Sequence, residues 1–183
     1  MFAKQYFAHV SPTGIGPGDL AKQVSYAYVI VGENLALGDF GSDEKLVDAW
    51  MNSPGHRANI LNRYYQEIGV AVGKGIYEGR ETWLAVQSFG MPLSACPSIN
   101  AQIKMQIDSN NIQIANLRSQ LDAKKAQIDS TPTSDPNYNT YVSEFNALVS
   151  EYNNIVVSNK ALILTYNAEV QAYNNCVNSV GAQ

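Results

Sequence analysis

Three side chains in the N-terminal half are of the types that do acid–base or metal chemistry. They are His9 and His56, which are the only histidines of the chain, and Glu33 in a mostly apolar stretch. Two neutral imidazoles, a carboxylate and a water can complete a tetrahedral zinc site, and a zinc-bound water can hydrolyse substrates. The residues equally allow a second interpretation, in which the histidines lie on the surface and Glu33 is a buried acid satisfied by backbone amides.

Other chemistries find little support in the sequence. It contains no glycine-rich phosphate loop and no Cys-x-x-Cys pair, and its serines lack the context of a nucleophile elbow. A net charge of −4 and a pI near 5.1 argue against nucleic-acid binding, which needs clustered Lys and Arg. No stretch approaches the ~18 apolar residues of a transmembrane segment. No basic-then-apolar leader follows Met1, so we expect any export signal to be absent from this sequence.

The composition divides the chain into two parts. Residues 1–95 hold 12 of the 13 glycines and both tryptophans, whereas residues 96–183 hold 21 Asn and Gln among 88 residues. This change predicts a turn-rich globular domain over 1–95, followed by a long regular domain over 96–183. Cys96-Pro97 marks the join.

The elements of the first domain predict an α+β fold. Ser42, followed by two acidic residues, is typical of a helix N-cap. Residues 68–72 and 82–89 read as two strands of an antiparallel sheet, joined by a turn over 74–80. Residues 1–8 read as the end of a helix, and residues 15–19, rich in Gly and Pro, as a loop.

The second domain carries a seven-residue repeat. Its first run consists of one row at Cys96, Ile103, Asn110, Leu117 and Lys124 and a second row at Asn100, Ile107, Ile114, Leu121 and Ile128. Two rows whose positions lie alternately four and three residues apart along the chain form the seam of a coiled coil. The repeat predicts helices over 98–129 and 138–178, with a turn over 130–137, and hence an antiparallel two-helix coiled-coil hairpin. One continuous helix that dimerises is the alternative, but Pro132 and Pro136 disfavour it.

Cys96 and Cys176 are the only cysteines, so one intramolecular disulfide can form. Folding the helices about the midpoint between them brings seam residues opposite seam residues, for example Leu117 and Ile155. The pairing predicts a disulfide at the base of the hairpin and an oxidising, extracellular or cell-surface setting. Two reduced, buried thiols are the alternative.

Four ordered motifs in the first domain resemble the bacterial branch of the CAP superfamily, also called SCP. They are Tyr6–Gly14, Gly32–Ala36, Trp50–Leu61 and, at the end of the domain, Ile68–Val70 with Gln87–Gly90. The resemblance covers about residues 1–92 and does not extend to the helical part. It implies an α-β-α sandwich with a central cleft, whose usual N-terminal helix is mostly missing here.

The resemblance also implies site residues. His9 and His56 correspond to the two cleft histidines and Glu33 to the first acid. The position of the second acid is Ser53, so three of the four groups are present. The resemblance implies a site for Zn²⁺ or another divalent cation. Because Ser53 carries no charge, the protein does not supply all four groups of that site.

The function predicted from these features is a secreted or cell-surface binding module. Its His/Glu cleft would hold a divalent metal or a small apolar ligand such as a lipid, and its coiled-coil arm would contact a protein partner or a surface. A metal-dependent, protease-like hydrolase and a structural or adhesive surface protein are the alternatives.

Overall fold

The computed structural model describes residues 1–180, so positions 181–183 of the predicted second domain lie outside the described residues. The chain forms two compact units. The first comprises Met1–Cys96 together with the segment that begins at Asn175, and the second comprises Pro97–Asn174. The predicted α+β class is confirmed.

A three-stranded antiparallel sheet is the centre of the first unit. Its strands are β1 (Tyr28–Gly38), β2 (Glu67–Tyr77) and β3 (Arg80–Pro92), and β3 lies in the middle. Strands β2 and β3 are longer than predicted, because the turn between them is only Glu78–Gly79. Both turn residues have positive φ (48° and 76°), which suits a tight two-residue hairpin turn.

Three short helices accompany the sheet: α1 (Pro17–Gln23), α2 (Asp43–Asn52) and α3 (Pro54–Ile60). Helix α1 occupies part of the segment predicted as a loop. Pro17 stands in its first turn, where a missing N–H costs nothing, and Asp19 Oδ2 accepts a hydrogen bond from the Gly16 N–H. The predicted cap of α2 is present, since Ser42 Oγ accepts a hydrogen bond from the Lys45 N–H.

The hydrophobic core lies between the sheet and α2. Its buried members are Ala36 of β1, Ala85 of β3, and Leu46 and Trp50 of α2. The indole Nε1 of Trp50 donates to the carbonyl of Leu35 at 3.2 Å, so the buried ring also satisfies its polar atom. The helix that positions the core is therefore anchored directly on β1.

The N-terminus differs from the prediction of a helix end. Phe2–Lys4 form one turn of 3₁₀-helix, and Gln5 follows with φ 48°. The Gln5 side chain donates to the Ile76 carbonyl at 2.8 Å and accepts from the Glu78 N–H at 2.9 Å. These bonds hold the first residues against the β2–β3 turn.

Two long helices follow, α4 (Ala101–Ser130) and α5 (Tyr138–Asn178), and they form the second unit as far as Asn174. They confirm the predicted helices to within three residues at each end. The buried residues of α4 are Ile107, Asn110 and Leu117, all of them predicted seam positions. Asn110 donates to Asn159 at 3.3 Å, and Lys124 lies 2.7 Å from Glu144.

A disulfide joins Cys96 and Cys176, whose Cα atoms lie 5.6 Å apart, so the predicted pairing is present. It closes a loop with a sequence separation of 80 residues. Across residues 1–180, none of the helices combines the length and the apolar character needed to cross a membrane.

Candidate functional site

Glu33 lies in β1, and its side chain is only 6% exposed. The Nδ1 atom of His9 lies 2.8 Å from Glu33 Oε1, and the His9 side chain is 55% exposed. A carboxylate with so little access to water needs a hydrogen-bond partner, and His9 provides it. The structure thus brings together two of the three side chains that the sequence analysis identified.

A buried carboxamide network holds the backbone around Glu33. Asn34, which is 0% exposed, donates to the His56 carbonyl at 3.0 Å and to Gln87 Oε1 at 3.1 Å. Asn59 donates to Asn34 Oδ1 at 2.9 Å and to the Glu33 carbonyl at 3.2 Å. These four bonds tie α3 to β1 and to β3, and they fix the position of the peptide that carries Glu33.

His56 lies in the first turn of α3, and its backbone carbonyl is the atom that contacts the network. Within the described residues, its ring forms no hydrogen bond or ion pair. Ser53 occupies the position of the family's second acid. It lies between α2 and α3, and its side chain does not cap α3.

The donor set does not fit a metal as it is placed. Among residues 1–180 no three His, Cys, Asp or Glu side chains form a group that could hold a metal ion. A catalytic zinc site needs three protein ligands, and the contact between His9 and Glu33 supplies two. We therefore derive no chemical step through a metal.

An apolar cavity of about 390 Å³ adjoins Glu33. Leu20 of α1 and Val24, which directly follows this helix, contribute to its wall, and the strands contribute Ile68, Phe89 and other residues to the rest. This volume lies within the range of small-molecule pockets. Apolar walls beside a nearly buried carboxylate are the usual composition of a binding site for a small molecule.

The sheet register explains how the cavity floor forms. Glu33 pairs with Ser88, and Ser88 pairs with Gly69, so these three residues form one row across the sheet on one face. A Cβ atom added at Gly69 would meet no heavy atom within 4 Å. The glycine therefore leaves open space at the end of the row that Glu33 begins.

Tyr26 and Glu67 also line the cavity. The Tyr26 hydroxyl donates to Glu67 Oε2 at 2.5 Å. Burial of the ring, followed by the hydrogen bond and the negative charge of Glu67, raises the pKa of Tyr26 to about 12. The phenol stays neutral at physiological pH and keeps one carboxylate oxygen of Glu67 occupied.

The buried network and the cavity were not predicted from the sequence. An Asn directly after Glu33 in an apolar run, and a Gln in an apolar strand, are the signals that indicate buried carboxamides. Their pairing could not be derived, because the partners Asn34, Asn59 and Gln87 are far apart in sequence. The cavity depends on α1, which the sequence analysis read as a loop.

Comparisons with known proteins agree with the motifs. The family described as CAP, the cysteine-rich secretory protein family, matches residues 1–89. The uncharacterized protein YkwD of Bacillus subtilis is 45% identical over 80 residues, which are 44% of this chain and 29% of YkwD. The uncharacterized membrane protein YlbC of the same organism is 32% identical over 77 residues, which are 42% of this chain and 22% of YlbC.

The chain thus spans less than a third of the length of either relative. No solved structure is significantly similar to it. Three observations agree on one family. They are the sequence motifs, the α+β fold with His9 beside Glu33, and the family match over the same residues. Residues 1–89 of this chain are a CAP domain and belong to the cysteine-rich secretory protein family.

Proposed function

We propose that the CAP domain is a secreted or cell-surface binding module that takes a small apolar ligand in the cavity beside Glu33. The observation that carries this proposal is the cavity of about 390 Å³, with apolar walls and a glycine floor. Its lining residues Leu20 and Val24 are 50% and 76% exposed. Covering such side chains with an apolar ligand contributes about 25 cal/mol for each Å² removed from water.

Binding is favoured over hydrolysis by the partners of the candidate catalytic groups. A nucleophilic mechanism needs a hydroxyl or thiol within hydrogen-bond reach of a base. Within residues 1–180, no hydroxyl or thiol side chain bonds to His9 or Glu33, and the nearby Ser11 Oγ pairs with Thr13 at 3.0 Å instead. The metal-dependent hydrolase therefore remains the second candidate, and Zn²⁺ or another divalent cation at His9, Glu33 and His56 remains a prediction.

The extracellular setting is part of the proposal and is supported by the disulfide. Cys96 and Cys176 are paired, and structural disulfides persist mainly in oxidising compartments. The residues of the second unit, 97–174, would serve as an arm for a protein partner or a surface. A structural or adhesive role would rest on that arm alone.

Titration with decanol, a neutral apolar ligand, tests the proposal by calorimetry. Gly69→Val would place its side chain in the cavity floor, where the added Cβ atom meets no protein atom within 4 Å, so we expect decanol affinity to fall about tenfold or more. Gly73→Val is the matched control, since Gly73 lies on the same strand, has equally open space and does not line the cavity. No decanol binding by the wild type, or equal loss in both variants, would overturn the proposal.

A further inference from the structure

We infer that the cavity selects ligands that carry an ammonium group on an apolar chain, with Glu33 as the group that recognises the charge. This inference rests on the proposed function, since it names the chemical class of ligand for the same cavity. Nothing in the recognition depends on a metal.

The charges that face the cavity are all negative. Among the described residues, its wall includes the carboxylates Glu33 and Glu67 and no Lys, Arg or His. A ligand carboxylate would meet only like charges there, which disfavours fatty acids. A cationic head group would meet opposite charge at Glu33 or at Glu67.

The Glu33 carboxylate has one oxygen available for such a head group. Oε1 is held by His9 at 2.8 Å, whereas Oε2 accepts no hydrogen bond from residues 1–180. No side-chain oxygen in this part of the chain is fully buried without a partner, so Oε2 is not fully buried, and Glu33 itself lines the cavity. Because the side chain is only 6% exposed, an ammonium that reaches it forms its ion pair where water screens little.

Glu67 is the weaker candidate for this role. Its Oε2 already accepts the hydrogen bond of Tyr26, and the residue is exposed to solvent. Ion pairs at exposed positions contribute little because water screens them. Recognition of the charge therefore falls to Glu33, and Glu67 adds a general negative potential.

The apolar wall sets the shape of the rest of the ligand. Gly69 leaves open floor in the same row as Glu33, and the exposed Leu20 and Val24 border the same cavity. An alkyl chain attached to the ammonium group would lie over this floor and cover those side chains. The arrangement fits an alkylammonium compound better than a compact cation, which would leave the apolar wall exposed.

The test compares three ligands with the same chain: decylamine, decanol and decanoate, titrated calorimetrically at neutral pH. For the wild type we expect decylamine to bind about tenfold tighter than decanol, and decanoate to bind more weakly than both. Glu33→Gln keeps the shape and removes the charge, so it should bind decylamine and decanol within about twofold of each other. Glu67→Gln should keep most of the preference. Glu81→Gln, an exposed carboxylate outside the cavity, should leave all three affinities unchanged.

The outcomes separate the two proposals. If the wild type binds decanol but shows no preference for decylamine, or if Glu67→Gln removes the preference and Glu33→Gln does not, this inference is wrong and the proposed function stands. If none of the three ligands binds, both are wrong. Should Glu33→Gln fail to fold by circular dichroism, the carboxyl ¹³C resonance of Glu33 decides, because decylamine should shift it and decanol should not.

Discussion

Glu33 and Gly69 lie in the same row of the sheet, each paired to Ser88 of the central strand. The nearly buried carboxylate and the open glycine floor therefore share one face of the sheet and one cavity. This relationship follows from the register of three strands, which places residues from distant parts of the sequence side by side.

The buried network around Asn34 should contribute substantially to stability. Asn34→Ala would leave the His56 carbonyl, Gln87 Oε1 and the Asn59 amide without their partner in a buried site. We expect the free energy of unfolding to fall by about 2–3 kcal/mol. Urea denaturation measures this free energy, and Asn52→Ala, at an exposed position, is the control. Equal effects of the two substitutions would mean that the network does not fix the site.

Tyr26 should make the stability of the first unit depend on alkaline pH. Its pKa is raised from the ordinary value of 10.0 to about 12, so the fold favours the neutral phenol. This contribution is complete below pH 10 and is lost as the pH rises through 12. Tyr26→Phe removes the titrating group and should lose less stability over this interval, as thermal unfolding at several pH values would reveal. A variant with the same alkaline loss as the wild type would contradict the assignment.

The disulfide should be present in the purified protein and should stabilise it. Unfolded, unreduced protein should show no reactive thiol, because both cysteines are paired. Replacing both Cys96 and Cys176 by Ala should cost roughly 4 kcal/mol in the chain-entropy description of an 80-residue loop. Two reactive thiols per chain would show that the disulfide is absent, and the extracellular setting would lose its main support.

Zinc should bind only weakly. His9 and Glu33 are in contact, but no third His, Cys, Asp or Glu joins them within residues 1–180. Calorimetry with Zn²⁺ should give low affinity, and His9→Ala should reduce it by a further factor of about 10, as expected for loss of a ligand. Tight binding that disappears with His56→Ala would show instead that the three side chains form the metal site implied by the family resemblance.

The long helices were predictable from sequence because their signal is repeated. The seven-residue rows on α4 persist over 30 residues, and the positions that they select include Ile107, Asn110 and Leu117, which are buried. Two prolines located the turn. The single pair of cysteines then left one intramolecular disulfide to consider.

Strand β1 was not predictable in the same way. Its consecutive residues Asn34, Leu35 and Ala36 are all buried, so the alternation that marks a half-exposed strand is absent. Helix α1 was missed because Gly16, Pro17 and Gly18 suggest a loop, although Pro17 suits the first turn of a helix. The contact between His9 and Glu33 agrees with the family motifs. The cavity was not predictable, because its wall is formed by residues of both α1 and β1.

The measurement that tests the central claim most directly is an NMR titration of the ¹⁵N-labelled protein with decanol. If the apolar ligand enters the cavity, the backbone amides of Gly69, Ser88 and Gly90, which line it, should shift in proportion to ligand bound. The amide of Gly73, on the same strand but outside the cavity, should not move. Saturable shifts at Gly69, Ser88 and Gly90, with none at Gly73, are the predicted result. Shifts confined to other surfaces, or no shift at any concentration of soluble decanol, would contradict the account.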